Sequence, residues 1–187
     1  METSSTLRAR FRQTTAELHA RVEARLDLLT PALTAERYRH ILAVLYGYYE
    51  PLERRIAAAP RIALPLRARV PLLAEDLGWL GLSPSAIATL PRCPYVPHLG
   101  GVAELAGCLY VIEGAALGGR VLGRALRQER GWTCRFFHDG HPDVRRRWAA
   151  VVAWLDALAC DADAAIAAAC ATFRTLEGWI CEREASP

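Results

Sequence analysis

Apolar residues recur every three or four positions along most of this chain, which is the spacing of amphipathic helices. A first stripe ends at Thr30-Pro31, and a second begins after the candidate N-cap Thr34. The stripes contain Leu7, Phe11, Leu18, Val22, Leu26 and Leu29, and then Tyr38, Ile41, Leu42, Leu45, Tyr49, Leu52 and Ile56. This spacing predicts two long helices, each with one buried face.

Shorter helices are predicted in the middle of the chain. Prolines at positions 60, 65 and 71 break the pattern, and the longest helical piece there is PLLAEDLGWLG. Ser83-Pro84 is typical of an N-cap followed by proline at the first helical position, so another short helix should follow it. The segment PRCPYVPHLGG is predicted to be a long connector.

Three more helices are predicted in the second half of the chain. The first runs from about Gly101 to Gln128, and the next begins at Pro142 after the loop GWTCRFFHDGHP. Asp161 can cap the last helix, which extends to about Glu182. Because helical spacing dominates throughout, we predict an all-α fold.

The length and composition of the chain indicate one compact unit. No repeat or low-complexity linker divides it, so we expect a single domain over residues 1–187, with disordered tails at about 1–6 and 184–187. Hydrophobic residues make up 52% of the chain, yet no run reaches the length of a membrane span. No export signal is visible, which predicts a cytoplasmic protein.

Cysteines and charges exclude several classes of function. The six cysteines form no C-x-x-C pair and lie mostly among apolar neighbours, so we expect buried thiols. The formal net charge is only +3, and Arg145-Arg146-Arg147 is the one basic run, which is typical of a solvated helix face. We expect neither nucleic acid nor membrane as a partner.

The segment YVIEGAALGGRVLGRAL places four glycines within a predicted helix: Gly114, Gly118, Gly119 and Gly123. Each glycine in a helix interior costs about 1 kcal/mol relative to alanine. Their spacing of four residues leaves a stripe of bare backbone along one face. Either a second helix crosses closely at this stripe, or a flat ligand lies against it.

A phosphate-binding turn is a third interpretation of these glycines. Gly114 and Gly119 have the spacing of a P-loop, but the chain continues with Arg120-Val121, without the required lysine and hydroxyl. Strands and helices also do not alternate along the chain, as they would in a parallel sheet. The sequence therefore does not favour a nucleotide-binding fold.

One line of polar residues follows the first predicted helix. Thr15, His19 and Glu23 are spaced four residues apart, beside the apolar stripe. His19 is then either a partly buried, hydrogen-bonded structural histidine or an axial ligand of haem iron. In the second case, one ring nitrogen binds the iron while an acceptor holds the other.

Two motifs together resemble the haem oxygenases, especially the bacterial branch that serves bacteriophytochromes or iron acquisition. They are TTAELHARVE at residues 14–23 and LYVIEGAALGGRVLG at residues 109–123. The similarity extends along most of the chain. It implies a helical bundle in which haem is sandwiched between a proximal helix and a distal helix kinked at glycines.

The resemblance also implies roles for individual residues. His19 falls at the proximal ligand, with Glu23 able to orient its ring and Thr15 on the same line. Gly114 and Gly118 fall at the distal glycines, whose backbone approaches the oxygen site. Many members carry an aspartate after the first distal glycine, where this chain has Ala115.

Further residues are candidates for contacts with haem. Arg12 matches a basic position of the family and is the first candidate to pair with a propionate; Arg120 and the run at 145–147 are further candidates. Gly119 and Phe173 are expected to line the pocket. His138 and His141 have H-x-x-H spacing, but without a third ligand nearby we do not expect a metal there.

The function implied is that of a haem oxygenase. Such an enzyme uses O2 and electrons to cleave haem b, its substrate and cofactor, into biliverdin, carbon monoxide and ferrous iron. A ferredoxin with its reductase, or ascorbate, would supply electrons, and a bacteriophytochrome is a candidate receiver of biliverdin. The alternatives are a haem carrier or sensor on the same fold, and a relative that has lost haem and binds another small molecule.

Overall fold

The computed structural model describes residues 6–137 and 144–185, and within these ranges the chain forms helices and connecting segments without a strand. The fold is therefore all-α, as predicted. In chain order the helices are α1 (Leu7–Leu26), α2 (Ala35–Ala58), α3 (Val70–Trp79), α4 (Pro84–Ala88), α5 (Val102–Arg130), α6 (Val144–Ala157) and α7 (Ala162–Ala185).

Three predicted helix starts are confirmed by their capping hydrogen bonds. The Thr34 hydroxyl accepts from the Arg37 amide at 3.1 Å, and the Ser83 hydroxyl accepts from the Ala86 amide at 3.2 Å. Asp161 Oδ1 accepts from the amides of residues 163 and 164 at 2.9 and 3.1 Å. Each cap satisfies backbone donors that have no partner within the helix.

The first helix ends earlier than the apolar stripe predicts. Asp27 adopts a left-handed conformation with φ of 40°, and its amide donates to the Glu23 carbonyl. This turn ends α1 at Leu26 and changes the direction of the chain. Leu28 is still buried, whereas Leu29 is 64% exposed, so the prediction that Leu29 belongs to the buried stripe is wrong.

The glycine-bearing helix α5 is the longest of the described helices and agrees with its predicted bounds to within two residues. By length and composition it is also apolar enough to cross a membrane, the one such helix in the described part of the chain. Half of its most apolar window is buried inside the protein, and the core helix of a soluble protein passes the same test. The predicted start of the next helix, Pro142, lies outside the described residues.

The crossing of α5 and α7 forms the centre of the core. A Cβ on Gly107 would lie 2.1 Å from the carbonyl oxygen of Ala165 and 2.7 Å from the amide nitrogen of Ala169. Only a residue without a side chain allows the two backbones to approach so closely. The close helix crossing considered for the stripe at residues 114–123 therefore occurs earlier along α5.

An ionic cluster on the surface joins α1 to α7. The Arg21 guanidinium donates two hydrogen bonds to the Glu177 carboxylate, one of them from Nε at 2.9 Å. Arg25 lies 3.8 Å from the same carboxylate. Because Arg21 follows His19 by two residues, this cluster fixes the part of α1 that carries the histidine.

The cysteines are free thiols, as predicted for a chain without a C-x-x-C pair. Cys93, Cys108, Cys134 and Cys170 are buried, while Cys160 and Cys181 are partly exposed. Burial raises the pKa of Cys108 to about 12. These thiols pack as small apolar side chains rather than as reactive groups.

We predict that Glu177→Gln lowers the melting temperature at pH 7 but has little effect near pH 3. The Arg21 guanidinium holds the pKa of Glu177 below its ordinary value. The ionised carboxylate therefore stabilises the fold above its unfolded-state pKa, and this contribution is lost as the pH falls through the folded-state pKa. Circular dichroism melts from pH 7 to 3 measure the difference.

Glu129→Gln, on the exposed face of α5, serves as the matched control for this prediction. It should melt like the wild-type protein at every pH. A Glu177→Gln deficit that stays the same size down to pH 3 would contradict the assignment of the effect to the Arg21 pair.

Candidate functional site

A cavity of about 540 Å³ lies between α1, α2, α5 and α7. Its size is within the range of small-molecule sites, about 300–1,000 Å³. Most of its walls are apolar, and the residues after α5 close one side. Leu26, Leu45, Val111, Ile112, Leu122, Phe136 and Leu176 are among the apolar lining residues.

His19 lines this cavity from α1. Its Nδ1 lies 3.4 Å from Glu23 Oε2, one turn later on the same helix, and both side chains border the cavity. The ring also meets the edge of Phe173 on α7, with centroids 5.8 Å apart. The carboxylate can orient the imidazole by holding Nδ1, which leaves Nε2 as the nitrogen for a ligand.

Thr15 lies apart from this pair. Its hydroxyl is buried and donates to the Phe11 carbonyl at 2.8 Å, whereas the His19 side chain is about half exposed. His19 and Glu23 therefore lie side by side. Thr15, four residues before His19, is buried in the core. The structure gives Thr15 a backbone partner instead of a partner at the histidine.

The glycines of α5 have different surroundings. A Cβ added to Gly118 would meet nothing within 4 Å, and Gly118 lines the cavity together with Ala115. Gly119 also lines it, with Phe137 3.4 Å from its missing Cβ. At these positions the absent side chain leaves open space or room for an aromatic ring.

Gly114 is covered by a neighbouring helix. Its missing Cβ would lie 3.5 Å from the ring of Trp148 on α6, and Gly114 is not among the described residues that line the cavity. The sequence predicted that Gly114 and Gly118 share one open face. Of these two glycines, only Gly118 has open space at its Cβ position in the structure. At Gly114, Trp148 of α6 covers this part of α5, whereas one turn later, at Gly118, α5 borders the cavity.

A buried carboxylate, Asp76 on α3, positions the segment that closes the cavity. It is fully buried and accepts hydrogen bonds from the amides of Arg135 and Phe136, each at 2.9 Å. These bonds bring Phe136 and Phe137 to the cavity wall. Burial raises the pKa of Asp76, while the two amide donors oppose that rise.

Three buried charged side chains lie close together around Glu113 of α5. Glu113 Oε2 lies 3.3 Å from Arg69 Nη2 and 3.6 Å from Arg147 Nε, and all three residues are at most 5% exposed. The Glu53 carboxylate from α2 accepts from the amides of Arg69 and Val70, and so fixes the start of α3. Arg69 is the member of this trio that lines the cavity.

The sequence interpretation missed this trio. Arg147 was expected on a solvated face, and that expectation is wrong, because Glu113 holds it in the interior. The available signal was Glu113 itself, a charged residue within the apolar run CLYVIEG. A buried charge requires a partner of opposite sign.

The remaining candidates lie outside the cavity or outside the described residues. Arg12 is on the exposed side of α1, close enough to Tyr110 for its charge to lower the pKa of that hydroxyl, which burial raises. It does not line the cavity. His138 and His141 lie outside the described residues; within residues 6–137 and 144–185, no cluster suited to a metal ion occurs.

Comparisons with known proteins agree on one family. A family model described as Heme oxygenase matches residues 5–181 of this chain. A protein named Heme oxygenase from Xanthomonas campestris pv. campestris (strain 8004) is 34% identical over 157 residues. That alignment covers 81% of this chain and 88% of the relative.

We predict opposite effects of alanine at two glycines of α5 on the stability of the ligand-free protein. Gly107→Ala should lower the free energy of unfolding by about 1–3 kcal/mol or more, since its Cβ would collide with the α7 backbone. Gly118→Ala should be neutral or stabilising by up to about 1 kcal/mol, because alanine favours the helix. Urea unfolding measures both, and equal losses would mean that Gly118 is packed rather than open.

Proposed function

Because this chain belongs to the haem oxygenase family, we propose that its cavity holds haem between α1 and α5, with His19 as the protein ligand of the iron. One observation carries this proposal: His19 on α1 and Gly118 on α5 line the same apolar cavity. A neutral imidazole is a common haem ligand. Bare backbone at Gly118 leaves open space within this cavity, so these residues fit haem.

The protein is a haem-degrading enzyme that converts haem to biliverdin, carbon monoxide and ferrous iron. Bound haem supplies both the redox-active iron and the ring that is oxidised. The task of the polypeptide is to bind this flat group, orient it and keep bulk water away from it. The apolar walls and the aromatic side chains of Phe136 and Phe137 perform the last of these tasks.

Each side of the proposed site has a distinct role. On α1, the Glu23 carboxylate holds Nδ1 of His19, so that Nε2 is directed to the ligand position. On α7, Phe173 packs edge-on against the histidine ring and limits its rotation. On α5, Ala115, Gly118 and Gly119 carry at most a methyl group where they line the cavity, so this wall would accept the flat face of haem.

Oxygen and an external electron donor complete the proposed reaction. A ferredoxin with its reductase, or ascorbate, can supply electrons at the cavity mouth, where Leu29 and Val121 are 64% and 76% exposed. Arg12 remains the proposed partner of a propionate that extends beyond the cavity. We also propose a cytoplasmic location, and a bacteriophytochrome as a receiver of biliverdin.

His19→Ala should bind haem more weakly and with an altered spectrum, because the iron loses its protein ligand while the apolar cavity remains. Added imidazole should then restore a spectrum like that of the wild-type protein. Absorbance titrations with haem, before and after imidazole is added, measure this. A mutant spectrum identical to that of the wild type before imidazole is added would exclude His19 as the ligand.

Gly118→Ala should retain haem but form less biliverdin than the wild-type protein under air with ascorbate. The added methyl group enters the open space beside the proposed haem position. Single-turnover absorbance measures biliverdin, and Gly78→Ala is the control for alanine in a helix, because Gly78 lies within α3, has nothing within 4 Å of its missing Cβ and does not line the cavity. A wild-type protein that holds haem unchanged under these conditions would be a carrier or sensor.

A further inference from the structure

Arg69 combines burial with an unused hydrogen-bond donor. Its side chain is 5% exposed and lines the main cavity, and its Nη2 lies 3.3 Å from Glu113 Oε2. Within the described part of the chain, its Nε has no hydrogen-bond partner. A buried donor that belongs to a charged group is normally satisfied, so this N–H is available to an acceptor in the cavity that Arg69 lines.

Few cationic side chains line the cavity beside Arg69. Among the described lining residues Arg69 is the one arginine, and the other charged side chains there, Glu23 and Asp27, belong to the α1 side. Ala115 on the α5 side offers no polar group. Arg69 is paired with Glu113 of α5 and lines the cavity together with Ala115 and Gly118 of the same helix.

A second cavity lies on the other side of this ion pair. Its volume is about 480 Å³, and Glu113 and Glu53 line it together with the exposed residues Ala57 and Pro60. Arg69 lines the first cavity and Glu113 lines the second. The ion pair therefore separates the proposed haem cavity from a space that reaches the surface, where water can enter.

We propose that Arg69 is a positioning residue whose Nε–H donates a hydrogen bond to a water molecule in the haem cavity, opposite His19. It supplies the polar contact that Ala115 cannot make, and Glu113 holds the guanidinium through Nη2 while Nε keeps its donor. The inference rests on the proposed function, since it requires haem in this cavity. Arg69 orders the water without exchanging a proton itself, because a guanidinium stays charged at physiological pH.

A purely structural role for Arg69 would be to neutralise Glu113. Lysine distinguishes the two roles, because its ammonium can pair with Glu113 at the end of the side chain but has no donor at the position of Nε. Arg147 provides a matched control: it pairs with the same carboxylate, is equally buried, and does not line the cavity.

The test compares Arg69→Lys with Arg147→Lys in the haem-loaded, ferric protein at pH 7. The main measurement is the dissociation constant of fluoride, a small anion that binds ferric haem and accepts hydrogen bonds, followed by absorbance. We expect Arg69→Lys to weaken fluoride binding about tenfold or more, the effect of losing one charge-assisted hydrogen bond. Arg147→Lys should stay within about twofold of the wild-type value.

Three further measurements separate the possible outcomes. The haem dissociation constant and melting temperature should be similar for both variants, and biliverdin yield should fall only in Arg69→Lys. Fluoride affinities that are equal in the two variants would overturn the inference. A wild-type protein whose haem spectrum does not depend on His19 would instead overturn the proposed function, so the two failures are distinguishable.

A second variant covers the case in which Arg69→Lys does not fold. Arg69→Met has no donor at the position of Nε, and it leaves the Glu113 carboxylate with Arg147 as a partner, whose Nε lies 3.6 Å away. This variant should also lose fluoride affinity about tenfold or more. Retention of the wild-type affinity would again contradict a hydrogen bond from Arg69.

Discussion

The close approach of α5 to α7 at Gly107 is the constraint on which the rest of the structure depends. No side chain fits between the two backbones there, so the position of α5 relative to α7 is closely defined. Further along, the same helix passes Trp148 at Gly114 and reaches open space at Gly118. One helix thus packs tightly at one end and borders a cavity at the other, with glycine serving a different purpose at each place.

The two sides of the cavity are held by different kinds of interaction. On the α1 side, the surface pair of Arg21 with Glu177 ties the helix to α7, while the His19 ring stays partly exposed. On the α5 side, Glu113 lies between two arginines in the interior, where removal of one partner would leave an uncompensated charge. The rigid wall is therefore the one beside the glycines, and the more accessible wall carries the imidazole.

Local signals in the sequence predicted the helical class and much of the site. Caps at Thr34, Ser83 and Asp161 depend on hydrogen bonds within three residues, so they can be recognised without knowledge of the fold. His19 and Glu23 are one turn apart on one helix, and the structure brings them together for that reason. The two motifs that resemble haem oxygenases indicated the same family as the comparisons.

The sequence by itself thus determined the helices, their caps, the histidine–glutamate pair and the family, because these depend on neighbours along the chain or on local motifs. Tertiary structure decided what lies against each glycine of α5, since that depends on what packs around the helix. It also decided the partners of Glu113, because Arg69 lies 44 residues away along the chain. Periodicity shows that a charge will be buried, but only the packing of distant helices determines which charge neutralises it.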